Sequence, residues 1–229
     1  MKHKGLWEDF VRLMHVPLPL CVLAFATIGA ALSERVYLDR LVLTYVGILL
    51  ALCLGAYSLD ELHGRPYHTQ FSDRTLRIAA TVGITGAAIV GIYLVAIVSP
   101  YVLILAILGG FFIFAYNLEL FNGKFHNAAG FGFTWGGLST FSGFFVQSTS
   151  LTASSLLVSA MASLISVSIL YLTHKFRSTE LSKKLPDDIP EGDLRDYSRQ
   201  TRKIAWTIAR IECYSMVLLA AGLIIPKLT

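Results

Sequence analysis

Charge is scarce in this chain. Only 15% of its 229 residues are Asp, Glu, Lys or Arg, and the mean hydropathy is +0.62, which excludes a water-soluble globular domain. Cysteine is scarce too: Cys21, Cys53 and Cys213 all fall inside apolar runs, where a small polarisable side chain packs well and a disulfide framework has no place. Of the seven prolines, Pro17 and Pro19 sit at the start of the first apolar run, where a missing N–H is least costly, and Pro100 punctuates a tight connection. A cleavable leader is not expected, because MKHKGLWEDFVRLMH is amphipathic and the run behind it continues without a small-residue cleavage pattern.

What is abundant is long apolar sequence. Runs at 16–33, 41–59, 78–98, 101–116, 128–146, 154–173 and 204–225 approach the roughly 20 residues needed to cross a bilayer. They are too long and too weakly alternating for barrel strands, so each is expected as a helix that satisfies its own backbone. The expectation is an all-α polytopic bundle of about seven transmembrane helices. Residues 1–229 form one integral membrane domain, with 174–203 a cytoplasmic loop between the last two helices.

The net charge of +4 would suggest nucleic acid in a soluble chain, but here basic residues report sidedness and no nucleic-acid partner is expected. If the spans alternate, 15 of the 19 Lys and Arg share one face with the N-terminus. The N-terminus is therefore expected in the cytoplasm and the C-terminus on the opposite side.

That topology gathers the chemistry-bearing residues into three helix-end clusters on the cytoplasmic side. The first holds Asp60, Glu61, His63, Arg65, His68 and Asp73. Asp60 and His63 are three apart and share a helical face, and carboxylates so near hydrocarbon are candidates for function, including Mg²⁺ binding beside phosphate. The second holds Asn117, Glu119, Asn122, Lys124, His126 and Asn127, with Lys124 as a point charge for phosphate, or simply a polar turn around Asn122-Gly123. The third holds His174, Lys175, Arg177, Ser178 and Glu180, where the basic pair either meets a diphosphate or anchors the helix at headgroups. Arg210 and Glu212 in the last run are read as an interhelical pair. The fifth run, FGFTWGGLSTFSGFFVQ, combines glycine for close packing with aromatics such as Trp135 that suit an apolar chamber for a lipid tail.

In order, RLMHVPLPLCVLAFATIGAAL, AYSLDELHGRP, YNLELFNGKF and FTWGGLSTFSGFFVQ resemble the opening helix, first aspartate-rich motif, post-fourth-helix segment and fifth helix of the UbiA superfamily of intramembrane prenyltransferases. The resemblance spans about Val11 to Leu181. The family's NDxxDxxxD maps onto Ala56, Tyr57, Asp60 and Gly64, and its DxxxD onto His174 and Ser178, so Asp60 alone keeps its acidic type. Family members usually have nine helices. The resemblance implies transfer of a prenyl group from a polyprenyl diphosphate held through Mg²⁺.

On that basis Asp60, Glu61 and His174 are the expected catalytic residues, and Asp60, Glu61 and His63 the expected metal ligands. Arg65, Asn117, Glu119, Lys124, Trp135, Lys175 and Arg177 are the expected substrate contacts. The partner is a membrane lipid or polyprenyl diphosphate, with a membrane-protein partner or homo-oligomer as a further expectation. Two alternatives stand beside this. One is a transition-metal membrane enzyme using Asp60, Glu61, His63, His68, Glu119, His126 and His174. The other is a non-catalytic lipid-binding or assembly subunit of a membrane complex.

Overall fold

In the computed structural model, residues 5–14, 17–174 and 191–228 are described. They form helices joined by turns, with no strand among them. Helix α1 (Leu6–Met14) is short and amphipathic: Leu13 and Asp9 face inward, whereas Trp7, stacked on Phe10, is 73% exposed. α2 spans Pro17–Ala31, α3 Leu38–Gly64, α4 Asp73–Ile97 and α5 Val102–Asn117. α6 runs over 128–148 as Ala128–Phe131, Gly132–Leu138 and Ser139–Ser148 without a break. α7 spans Ala153–His174 and α8 Glu191–Leu228.

Every expected apolar run falls on one of α2 to α8. Four stretches, namely Leu38–Gly64, Asp73–Ile97, Ala153–Leu172 and Lys203–Leu228, are long and apolar enough to cross a membrane. α2 and α5 are apolar but shorter, about 22 and 24 Å at 1.5 Å per residue, against a hydrocarbon core of about 30 Å. Leu157, Leu164, Ile92, Ile107 and Leu218 all stand more than half exposed on helix faces, an arrangement that suits lipid and not water. The described residues are those of a helical membrane protein.

α2 lies at the centre of the bundle. Cys21, Val22, Phe25 and Ala26 are fully enclosed, with the second half of α6 on one side and α8 on the other. The approach to α6 is backbone to backbone. A Cβ on Gly29 would collide with the Thr140 carbonyl, and one on Gly143 would collide with that of Ala26. Small residues thus set the spacing, as expected where lipid supplies no hydrophobic drive for helices to associate.

Two helices contain π-helical stretches, Leu50–Ala56 in α3 and Gly132–Leu138 in α6. Each coincides with a close packing partner: Gly83 of α4 meets the backbone at Leu50 and Gly55, and Gly136 of α6 meets the Ala162 carbonyl of α7. Such widened turns are frequent at functional sites, and both lie beside the cavities described below.

The expected 174–203 loop is shorter than the sequence suggests. Residues 191–203 are the opening turns of α8, and the part of that helix apolar enough to cross a membrane begins at Lys203.

Candidate functional site

α3, α5 and α7 end at one pole of the bundle, where α6 begins. A cavity of about 480 Å³ opens there. Its inner wall is apolar and aromatic, including Leu18 of α2, Leu52 of α3, and Phe131 and Trp135 of α6. Its rim carries Asp60, His63, Tyr67, Tyr116, Asn117, Glu119 and His126, and α8 lines one side with Trp206 and Arg210. The first two sequence clusters therefore converge on one opening.

Asp60 and His63 reach it from the last turns of α3, consistent with their three-residue spacing. One oxygen of Asp60 accepts from the Tyr67 hydroxyl at 3.1 Å. Tyr67 lies in the turn after α3, and burial together with the Asp60 carboxylate pushes its phenol well above the ordinary range. Asn117 donates its amide N–H to the Ile113 carbonyl at 2.7 Å.

Glu119 sits between two imidazoles, 3.9 Å from the Nε2 of His63 and 3.9 Å from that of His126. Both gaps exceed a hydrogen bond. His126 stacks on Tyr116 and its Nδ1 lies 2.8 Å from the Tyr116 carbonyl, an acceptor, so Nδ1 carries the proton. The turn holding Glu119 is unusual: Glu119, Phe121 and Asn122 all have positive φ near 50° to 60°, and Gly123 follows at 71°. The Asn122-Gly123 turn expected from sequence is present, and it aims Glu119 at the cavity.

Glu61 does something different from what the sequence suggested. Adjacent helical residues point about 100° apart, so while Asp60 faces the cavity, Glu61 faces the 65–72 turn and is 0% exposed. Its carboxylate accepts from the Tyr67 N–H at 2.9 Å and from the Thr69 N–H and hydroxyl, each at 2.8 Å. It organises the turn and does not line the cavity. Arg65 is likewise internal to that turn, donating to the Phe71 carbonyl at 2.8 Å and pairing with Asp73. Asp9 of α1 supports the same turn from outside through the Gln70 N–H at 3.1 Å.

The expected metal set of Asp60, Glu61 and His63 is therefore split between two faces of α3. Among the described residues no three His, Cys, Asp or Glu side chains gather as a metal site requires, and His174 of the expected transition-metal set has its side chain outside them. Lys124 is exposed and does not line the cavity. Lys175, Arg177 and the side chain of His174 lie outside the described residues, although Leu170 and Tyr171 of the same helix line the cavity. Arg210 and Glu212 do not form the expected pair: Arg210 lies over the Trp206 ring, and Glu212 accepts from Ser168 of α7.

Sequence reasoning passed over three tyrosines. Tyr57 is three residues before Asp60 and so shares its face, a spacing that would have found it. Tyr67 enters through the turn after α3, whose shape no spacing rule supplies, and Tyr116 from the last turn of α5, directly before Asn117. A second cavity of about 400 Å³, almost wholly apolar, lies between α3, α4, α5 and α6. Trp135 lines both cavities.

No protein-family model matches this chain, and no curated protein or solved structure matches it.

Proposed function

We propose that this protein is a UbiA-like seven-span membrane bundle that binds the polar end of an isoprenoid or related lipid at the cytoplasmic pole, with the hydrocarbon chain directed inward. The observation that carries the reading is the amphipathic cavity, polar at a rim built from three helix ends and apolar toward Trp135. Its volume is in the usual range for small-molecule sites, and a few convergent polar groups above aromatic walls suit a ligand with one wet end and one dry end. Seven apolar runs on seven consecutive helices, with basic residues biased to one side, support the seven-span topology.

Asp60, the one acidic position kept from the family's patterns, lies at the rim with its carboxylate held by Tyr67. The chemistry in hand supports binding and positioning. Ionising a diphosphate would need compensation of its charge, and the described lining sets one guanidinium, that of Arg210, against the carboxylates of Asp60 and Glu119.

The test is direct binding to full-length protein in nanodiscs, read by native mass spectrometry with geranylgeraniol, geranylgeranyl diphosphate plus Mg²⁺, and squalene as probes. Saturable retention of at least one, weakened by Trp135→Ala, is expected. Retention of none would overturn the reading. Reporter fusions at the termini test the topology, which requires an internal N-terminus and an external C-terminus.

A further inference from the structure

Two segments at the pole where the cavity opens carry aromatic side chains that the bundle leaves uncovered. The first is α1. Asp9 and Leu13 are four residues apart and share the face turned to the bundle, where Asp9 accepts from the Gln70 N–H at 3.1 Å and Leu13 joins the apolar cluster that holds Tyr57. Going round the helix from Leu13, Phe10, Trp7 and Val11 follow within about 160° and all are exposed, while Glu8, also exposed, lies beyond them. The apolar arc of α1 is therefore wider than the part the bundle covers. A short helix with an uncovered aromatic arc and charge past its edge suits the plane of a membrane interface. Its position agrees, because the apolar α2 begins only three residues after α1 ends, at Pro17.

The second segment is the 118–127 turn, which folds back along α5. The ring centroids of Phe121 and Phe125 lie 6.2 and 5.3 Å from that of Phe111. Phe111 is six residues before the end of α5, about 9 Å along the helix axis toward the hydrocarbon. It and Phe114 are exposed on that helix, so Phe121, 63% exposed, extends a surface that already faces lipid. Lys124 of the same turn is exposed too, and a lysine stem is long enough to carry its ammonium to the headgroups.

The two segments border the cavity mouth. Through Gln70, α1 braces the turn that carries Tyr67, and the 118–127 turn itself carries Glu119 and His126. We infer that this pole is seated in the bilayer interface by Trp7, Phe10 and Val11 on one segment and Phe121 on the other, which sets the cavity mouth at headgroup depth. The occupant of these faces is lipid and not a second protein, because Phe121 is continuous with the lipid-facing side of α5 and tryptophan is favoured where headgroups meet acyl chains. The seating holds whatever the cavity binds.

The test is fluorescence quenching of the full-length protein in phosphatidylcholine nanodiscs. Trp135 and Trp206 give a common background, so the Trp7 signal is the difference between the parent and Trp7→Phe. Bromine carried near the carbonyl end of the acyl chains should quench that signal at least about twofold more than bromine near the chain ends, as expected of a shallow interfacial depth. Aqueous iodide should quench it much less than it quenches free tryptophan. Phe121→Trp, placed in the Trp7→Phe chain, should add a signal with the same shallow preference. Both side chains are largely exposed, so neither change empties the core.

A Trp7 signal that iodide quenches as strongly as free tryptophan, and that bromine leaves untouched, puts the face in water and overturns the inference. Shielding from both quenchers assigns the face to a protein partner or a second copy, and overturns it as well. So does a shallow preference at one position without the other.

Discussion

Replacing Glu61 by Gln separates a structural carboxylate from a ligand-binding one. The side chain is fully enclosed, and its two oxygens accept three hydrogen bonds, from the N–H of Tyr67 and from the N–H and hydroxyl of Thr69. Glutamine can keep its oxygen toward Thr69, but its amide then presents hydrogen toward the Tyr67 N–H. One bond to a charged acceptor is lost, worth about 1.5–3 kcal/mol, and a buried N–H is left unpaired at about 1–3 kcal/mol. Relief from burying a carboxylate offsets part of this. A net loss of about 3 kcal/mol is expected.

Thermal unfolding of the detergent-purified protein should show a lower midpoint for Glu61→Gln, and hydrogen exchange should show lost protection at the Tyr67 and Thr69 amides. Asp60→Asn, at the cavity rim, should leave both nearly unchanged while weakening ligand binding. The reasoning fails if Glu61→Gln leaves the midpoint and both amides as they were. A variant that kept full stability but lost a metal-dependent activity would restore the sequence-based reading of Glu61 as a ligand.

Three further expectations concern packing, the cavity wall and pH. Gly29→Ala or Gly143→Ala forces α2 and α6 apart and should cost about 1–3 kcal/mol or more, whereas Gly110→Ala meets nothing within 4 Å and should be neutral or stabilising by up to about 1 kcal/mol, as chemical or thermal unfolding will show. Trp135→Ala removes the side chain shared by the two cavities and should lower stability by about 3–5 kcal/mol. In binding assays the same variant should shift preference toward longer isoprenoid chains. The Tyr67 phenol, raised above its ordinary value of 10.0, contributes stability that is fully present below that pH and is lost as pH rises beyond it. Midpoints measured from about pH 8 to about 11 should therefore fall less steeply in Tyr67→Phe than in the parent, and equal slopes would refute the assignment.

Much of the fold was legible because hydrocarbon constrains sequence so strongly. The run at 78–98 corresponds to α4 at Asp73–Ile97, and the run at 41–59 to α3 at Leu38–Gly64, the differences being polar final turns that hydropathy does not register. The start of α8 at Glu191 was missed for the same reason, since its first turns are polar. The π-helical stretches were not legible, because they arise where neighbouring backbones press close at Gly83 and Gly136.

The candidate site was partly legible. Asp60 and His63 follow from helical spacing, and Asn117 and Glu119 from their place after an apolar helix. The roles of Glu61 and Arg65 were not, because both are spent on the shape of a turn that has no periodicity to read.

By itself, the sequence determined that this is a helical membrane protein, roughly where each helix lies, and which ends carry the polar groups. These follow from one-dimensional facts, namely the length of apolar runs and the need of each segment to satisfy its own backbone in hydrocarbon. Tertiary structure decided which polar groups face a common space. Asp60 and Glu61 are neighbours of similar chemistry, yet one lines a cavity and the other holds a turn. The difference is set by the helix angle between them and by what packs on each side.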